Sequence, residues 1–280
     1  MTAQVWNQDS LGLPASYVAQ FHVMITDPPY RPWVHEKATS QSVSRGTRHR
    51  DLGFDPISDT MRNTIGAWTA HVQRWSIVYS DVETSHLLQE AGERAGSEYI
   101  RTMPWVRWSM PNLQGNRPAQ GFEHILAFHP PGKKRWNGPG SLVAFTDEPG
   151  ADDTIVFLEK ALRGESKHKT EKPLDQALNL VSYFTDIGES VFDPFSGHAT
   201  IGLACRLLGR HYVGFEIDPG WASRSQARLS GPFSERDMQR VIRWLETDSE
   251  PVSSLTEGPS VERAKRRAQD KENVRNGVFL

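Results

Sequence analysis

The sequence contains one cysteine, Cys205, in 280 residues. An intrachain disulfide and a cysteine-based zinc site are therefore excluded, which fits a reducing cytoplasm. Cys205 lies in an apolar stretch with helical spacing and reads as a buried core thiol, not a nucleophile. Net charge is scarce too: 32 Lys and Arg against 34 Asp and Glu give −2, so any nucleic-acid face has to be a local patch. No apolar run is long enough to span a bilayer, and the first residues lack a basic-then-apolar signal pattern. The chain is expected to stay in the compartment where it is made. The G-x-G-x-x-G pattern is missing, which argues against a dinucleotide site.

What is present is an alternation of strands and helices long enough for one large α/β domain with a small insert. Short strands are expected around Val5-Trp6 and over residues 23–26, and a helix over 58–74. A buried strand follows at 75–80, then a helix from Glu83 to Ala95 closed by Gly96. Residues 99–103 and 122–128 read as a hairpin, and 189–193 and 211–218 as further strands. Helices are expected over 174–185, 201–208 and 234–246. This order predicts a mostly parallel sheet with one antiparallel edge strand. After Pro251 the composition turns polar, then basic through Arg263, Lys265, Arg266, Arg267 and Lys271, which predicts a weakly ordered or solvated helical tail.

The most informative stretch is Val23-Met24-Ile25-Thr26-Asp27-Pro28-Pro29-Tyr30, an apolar strand stopped by an acid, two prolines and an aromatic ring. The prolines hold Asp27 and Pro28 extended, so a carboxylate and backbone carbonyls are fixed at a strand end. Such a group reads N–H donors of an aminated heterocycle while Tyr30 covers its face; a capped turn is the plainer alternative. Asp9, just past the first strand, is either a ligand contact or a cap. Residues 31–60 form a long loop carrying Arg45, Arg48, His49 and Arg50, suited to phosphate contact or to a solvated loop. Between 104 and 167, Trp105, Arg107, Trp108, Asn112, Gln114, Asn116 and Arg117, then Lys133, Lys134, Arg135, Trp136 and Asn137, mix rings, cations and amides. That mixture holds phosphates and reads bases. Later, Asp193-Pro194-Phe195-Ser196-Gly197 ends a strand and opens a helix, and Glu216 stands 19 positions after Gly197. A strand, a glycine turn, a helix and a distant acid make a nucleoside-binding β-α-β unit.

In this order the motifs resemble the amino-methyltransferases that act on DNA, in the branch where Asp-Pro-Pro-Tyr precedes the target-recognition region and the cofactor half comes last. Asp27, Pro28, Pro29 and Tyr30 match the catalytic motif. His168-Lys169-Thr170-Glu171-Lys172-Pro173 resembles the element that holds the methionine end of the cofactor, and residues 193–197 with Thr200 resemble the cofactor loop. Gly214-Phe215-Glu216-Ile217-Asp218 resembles the ribose strand, and Asn7-Gln8-Asp9-Ser10 the segment beside the cofactor adenine.

The resemblance implies a Rossmann-like S-adenosylmethionine methyltransferase fold divided as 1–103 (catalytic half), 104–167 (edge hairpin and target recognition), 168–232 (cofactor half) and 233–280 (helix and charged tail). It implies cofactor contacts from Asp9, Asp27, His168, Lys169, Thr170, Lys172, Pro173, Asp193, Pro194, Phe195, Ser196, Gly197, Thr200, Glu216 and Asp218. DNA contacts are expected from Arg45, Arg48, Arg50, Arg107, Arg117, Lys133, Lys134 and Arg135, without a metal. Double-stranded DNA, a second copy of the chain and a cognate restriction endonuclease are the implied partners. An Asp at the first motif position leans towards adenine over cytosine. The departure is His198-Ala199, where the family pattern has Gly-x-Gly-Thr; Ala199 adds a methyl at a close approach, and His198 reads as a solvent-facing residue at a helix start.

Overall fold

The computed structural model describes residues 2–31, 55–107, 121–138, 145–147, 171–246 and 259–279. The chain opens with β1 (Ala3–Asn7), a 3-10 turn (Ser10–Gly12), α1 (Ala15–Val18) and β2 (Val23–Thr26). After α2 (Asp59–His71) and β3 (Ser76–Ser80) come α3 (Ser85–Arg94), β4 (Glu98–Arg107), β5 (Phe122–His129) and β6 (Phe145–Asp147). The last part holds α4 (Leu174–Phe184), β7 (Ser190–Asp193), α5 (Thr200–Leu208), β8 (His211–Glu216), α6 (Pro219–Ser230), α7 (Glu235–Glu246) and α8 (Pro259–Phe279). No helix among the described residues is long and apolar enough to cross a membrane.

Among the described residues one eight-stranded sheet runs in the order β1-β8-β7-β2-β3-β5-β4-β6. All pairings are parallel except those of β5 with β3 and β4, so the antiparallel strand lies near one edge, with β4 and the short β6 outside it. β2, β3 and β7 are apolar runs because helices cover both their faces. Alternate residues point to opposite layers. Val23, Ile25, Ile77, Tyr79 and Val191 pack under α4 and α5, whereas Met24, Val78 and Phe192 pack under α1, α2 and α3. From β2 the chain crosses to β3 on one side, and from β7 to β8 on the other. The carboxyl ends of β2 and β7 therefore flank the crevice at which open α/β sheets bind ligands. The sheet is continuous across the halves set out above, since β1 pairs with β8 and β2 with β7.

The C-terminal expectation is corrected. Residues 259–279 form a helix with Ala264, Arg267, Asp270 and Val274 buried. Asp270 pairs with Arg210 at 2.5 Å, both side chains 2% exposed, and accepts from Ser182 Oγ at 2.7 Å. Arg267 donates to the Asn137 carbonyl at 2.9 Å. The buried stripe has the 3-4 spacing of a docked helix, but two of its four members are charged. Hydrophobic periodicity therefore misses it.

Candidate active site

Asp27 follows the last residue of β2, so the fully buried strand sets its carboxylate at the crevice mouth. Its Oδ2 pairs with Lys172 Nζ at 3.0 Å, and its Oδ1 is buried without a hydrogen-bond partner among the described residues. Lys172 also reaches Glu123 Oε2 at 3.2 Å and the Tyr30 hydroxyl at 3.0 Å. Its ammonium sits 4.9–5.3 Å from the ring centres of Tyr79, Tyr30 and Trp105. That aromatic box compensates a desolvated cation. Tyr30 donates to Glu123 Oε2 at 2.5 Å, while its carbonyl accepts from Ile57 N at 3.0 Å.

Burial, with the Glu123 charge beside it, pushes the Asp27 carboxyl up to about 6 against the pull of Lys172. Burial and the same two carboxylates hold the Tyr30 and Tyr79 phenols well above their ordinary range, so both keep their protons. Glu123 was not among the residues expected from sequence. The signal was there: on β5 it shares a face with Ile125 and Ala127, both core residues, and an acid on a core face needs a partner.

Across the crevice, Asp193 ends β7, and here an expectation changes. Its carboxylate accepts from Thr26 Oγ1 at 2.8 Å, Tyr212 OH at 3.0 Å and Phe195 N at 3.3 Å. It is 2% exposed, and burial raises it to about 7. Asp193 thus stitches β7 to β2 and β8. Thr200 is likewise buried, accepting from Arg228 at 3.2 Å, and Asp218 caps α6 by accepting from Trp221 N at 2.7 Å. Asp9 is exposed and caps the 3-10 turn through Leu11 N at 2.9 Å.

The loop backbone is held from several sides. The Pro194 carbonyl accepts from Ser10 Oγ at 2.8 Å, Ser196 N donates to the Phe215 carbonyl at 2.9 Å, and the Gly197 carbonyl accepts from Ser225 Oγ at 2.6 Å. Gly197 and Ala199 both have left-handed φ, +50° and +53°, so the turn that delivers α5 is built tightly under the crevice. An alanine there carries on the order of 1 kcal/mol of backbone strain. Glu216 ends β8 half-buried, accepts from Asp218 N at 2.9 Å, and is raised by burial.

His198 is not solvent-facing as expected. Its Nδ1 lies 3.3 Å from Glu171 Oε1, its ring meets Trp221 edge-on, and its carbonyl accepts from Arg228 at 2.9 Å. Glu171 also pairs with Arg228 at 2.9 Å and Arg236 at 3.0 Å. Burial raises the Glu171 carboxyl, but the His198 bond and the two guanidinium charges overcome this and hold it far below the usual carboxylate range. Glu171 thus ties the loop before α4 to the cofactor loop, α6 and α7, and its neighbour Lys172 enters the Asp27 pocket. Pro173 starts α4. His168, Lys169 and Thr170 lie outside the described residues.

Of the expected DNA contacts, Arg45, Arg48, Arg50 and Arg117 lie outside the described residues, and Arg107 ends β4 at the same sheet edge as Asp27. Lys133, Lys134 and Arg135 are not brought to that edge. β5 runs antiparallel, so the residues after His129 emerge at the opposite edge of the sheet, roughly 13 Å away at about 3.3 Å per residue. There Lys134 pairs with Glu98 at 2.5 Å, and Arg135 with Asp186 and Glu189. Trp75 Nε1 fixes the Arg135 carbonyl at 2.6 Å.

Comparison with known proteins agrees with this geometry. Type II methyltransferase M.HindIII of Haemophilus influenzae is 33% identical over 144 residues, 46% of this chain and 44% of that protein. Type II methyltransferase M.XycI of Xanthomonas campestris pv. cyanopsidis is 36% identical over 147 residues, 52% of this chain and 48% of that protein. The chain spans about half the length of these curated relatives. The crystal structure of an M1.HpyAVI–SAM complex superposes with a TM-score of 0.57 at 20% identity, covering 81% of this chain and 99% of that one. PvuII DNA methyltransferase, described as cytosine-N4-specific, superposes with a TM-score of 0.59 at 13% identity, covering 87% and 92%. These two likenesses establish the fold. A family model described as DNA methylase matches residues 21–226, which takes in β2, the Asp27 centre, the crevice and β8. The chain belongs to the N6/N4 DNA methylase family.

Proposed function

We propose that the chain transfers a methyl group from S-adenosylmethionine to the exocyclic N6 amine of adenine in double-stranded DNA. The observation that carries this reading is the Asp27 carboxylate: one oxygen is held by Lys172 and the other is buried with no donor among the described residues. A group that donates N–H there relieves the penalty of a buried unpaired acceptor.

The crevice fits the cofactor. Glu216 presents a half-buried carboxylate suited to ribose hydroxyls, and the Gly197–Ala199 turn brings the start of α5 to the strand ends, where first-turn N–H groups lack intrahelical partners. Lys172 and the residues of the cofactor loop would hold it; bound, it supplies an electrophilic methyl on a sulfonium. The chain's own residues do the rest. Asp27 Oδ1 and the Pro28 carbonyl accept the two amine hydrogens, which directs the nitrogen lone pair at the methyl. As the N–C bond forms the S–C bond would break to leave a neutral thioether, and the methylated amine gives up one proton by way of Asp27 to solvent. Lys172 keeps Asp27 ionised, and Tyr30 stacks on the base. Flipping the base out costs a few kcal/mol, of which stacking returns about 1–3. Alignment of donor and acceptor supplies most of the rate.

Adenine is favoured by the acid at the first motif position. Cytosine N4 is the second reading, favoured by the cytosine-N4-specific enzyme among the fold relatives. Double-stranded DNA is the proposed substrate, with target recognition assigned to residues 104–167; a second copy of the chain and a cognate restriction endonuclease are the proposed partners. The test is methyl transfer from labelled cofactor to mixed-sequence DNA, digested to nucleosides for mass analysis. N6-methyladenine, lost in Asp27→Ala, is expected; N4-methylcytosine as sole product overturns the base assignment, and no transfer overturns the activity.

A further inference from the structure

Glu123 stands on β5, at the end that pairs with Ser80 and Trp105, and only 12% of its side chain is exposed. One oxygen, Oε2, receives both the Tyr30 hydroxyl at 2.5 Å and the Lys172 ammonium at 3.2 Å. Tyr30 and Lys172 also bond each other at 3.0 Å, which closes a triangle of three side chains from three separate segments. One corner of it, Lys172, holds Asp27. Removing the Glu123 carboxylate takes from Tyr30 the acceptor of its hydroxyl proton, leaving the Lys172 contact, and takes from Lys172 the anion beside Asp27.

We propose that Glu123 is a positioning residue of the transfer step: through the Tyr30 hydroxyl it fixes the ring that covers the extruded base, and through Lys172 it fixes the carboxylate that accepts the amine. Both rotors are held from β5, a strand within the 104–167 region assigned to target recognition, so the base pocket is shaped by that region's own scaffold. The inference rests on the methyl-transfer reading. The charges that face Asp27 are Lys172, Glu123 and, behind it on β7, Asp193, with the neutral phenols of Tyr30 and Tyr79. Glu123 opposes the ionisation of Asp27 and Lys172 favours it, so a neutral residue at 123 eases ionisation.

The test compares wild type, Glu123→Gln, Glu123→Ala, Tyr30→Phe and the double variant Tyr30→Phe/Glu123→Ala, with Glu98→Gln at the far sheet edge as control. kcat is read with labelled S-adenosylmethionine and mixed-sequence DNA, and cofactor Kd by fluorescence titration. Glu123→Ala is expected to lower kcat about tenfold or more with cofactor Kd within about twofold, the size of effect that loosened geometry produces. The double variant is expected to lie within about twofold of Glu123→Ala, because both changes cut one linkage. Glu123→Gln is expected to move the acid limb of kcat to lower pH. A fall of kcat and Tm with a parallel rise of cofactor Kd and an unmoved acid limb assigns Glu123 a structural role and overturns the inference. Wild type without methyl transfer overturns the functional reading instead. The inference is then decided by crystal structures: Tyr30 OH and Lys172 Nζ displaced by about 1 Å or more in Glu123→Ala support it, and their staying in place within about 0.5 Å overturns it.

Discussion

Lys172→Met replaces the ammonium in the aromatic box by a thioether of similar length, leaving the Asp27 and Glu123 carboxylates without the cation between them. At 3.0 Å and an effective dielectric of about 20, the Lys172–Asp27 attraction is about 5 kcal/mol before desolvation is subtracted. An opposite charge this close ordinarily lowers a carboxyl by about 1–3 units, so its loss takes Asp27 from about 6 to about 8. If the ionised carboxylate accepts the amine, the ratio of wild-type to variant kcat follows the ratio of ionised fractions. That ratio is about 50 near pH 6, about 10 near pH 7, and close to unity near pH 9. Misplacement of Tyr30 multiplies all three values by one constant and leaves the trend intact. The assay is initial-rate methyl transfer at saturating cofactor and DNA across this range. A ratio that does not change with pH refutes the claim that Lys172 acts through the charge on Asp27.

The other predictions concern the frame. Asp270→Ala strands the buried Arg210 guanidinium and is expected to cost about 3–5 kcal/mol in urea unfolding, whereas Arg210→Met with Asp270→Leu is expected to be nearly neutral; equal losses in both refute the pairing argument. Burial raises Asp193 to about 7, above its unfolded value of about 3.9, so the folded state binds more protons across that window and loses stability as pH rises through it. Asp193→Asn removes that slope, and its stability relative to wild type should climb between about pH 4 and 7; a flat difference counts against the assignment. Replacing Lys133, Lys134 and Arg135 together by Ala should leave the salt dependence of DNA binding unchanged, while a log–log slope shallower by about 3 restores them as phosphate contacts.

Much of this is legible in the chain because local chemistry and fold agree. The run from Val23 to Thr26 is a strand buried on both faces, and it stops at Asp27 because prolines cannot extend a central strand. The helix expected over 58–74 runs from 59 to 71, started by the Ser58 cap and ending three residues early, and that expected over 201–208 runs from 200 to 208, closed at Gly209. What was not legible depends on partners distant in sequence. Asp193 has the residue type of a ligand contact, yet its donors Thr26 and Tyr212 come from other strands and turn it inward. Lys134 and Arg135 look like a phosphate patch until the antiparallel sense of β5 carries them to the wrong edge. His198 meets Glu171 across 27 positions, and α8 is held by Arg210, 60 positions away, so neither shows in a local window.

The pairing of β2 with β7 sets Val23 beside Val191 and Met24 beside Phe192. A ribosome adding about 5–20 residues per second needs roughly 8–34 s to bridge those 168 positions, a separation also spanned by the His22–Ser190 bond. For the part of that interval after β3 has been made, the Val-Met-Ile-Thr strand has β3 on one side and lacks β7 on the other, an unpaired apolar edge of the kind that invites aggregation and chaperone capture. A nascent or prematurely ended chain therefore carries Asp27 but no crevice around it. The crevice is complete only when β7 and the elements after it have paired with β2 and with each other.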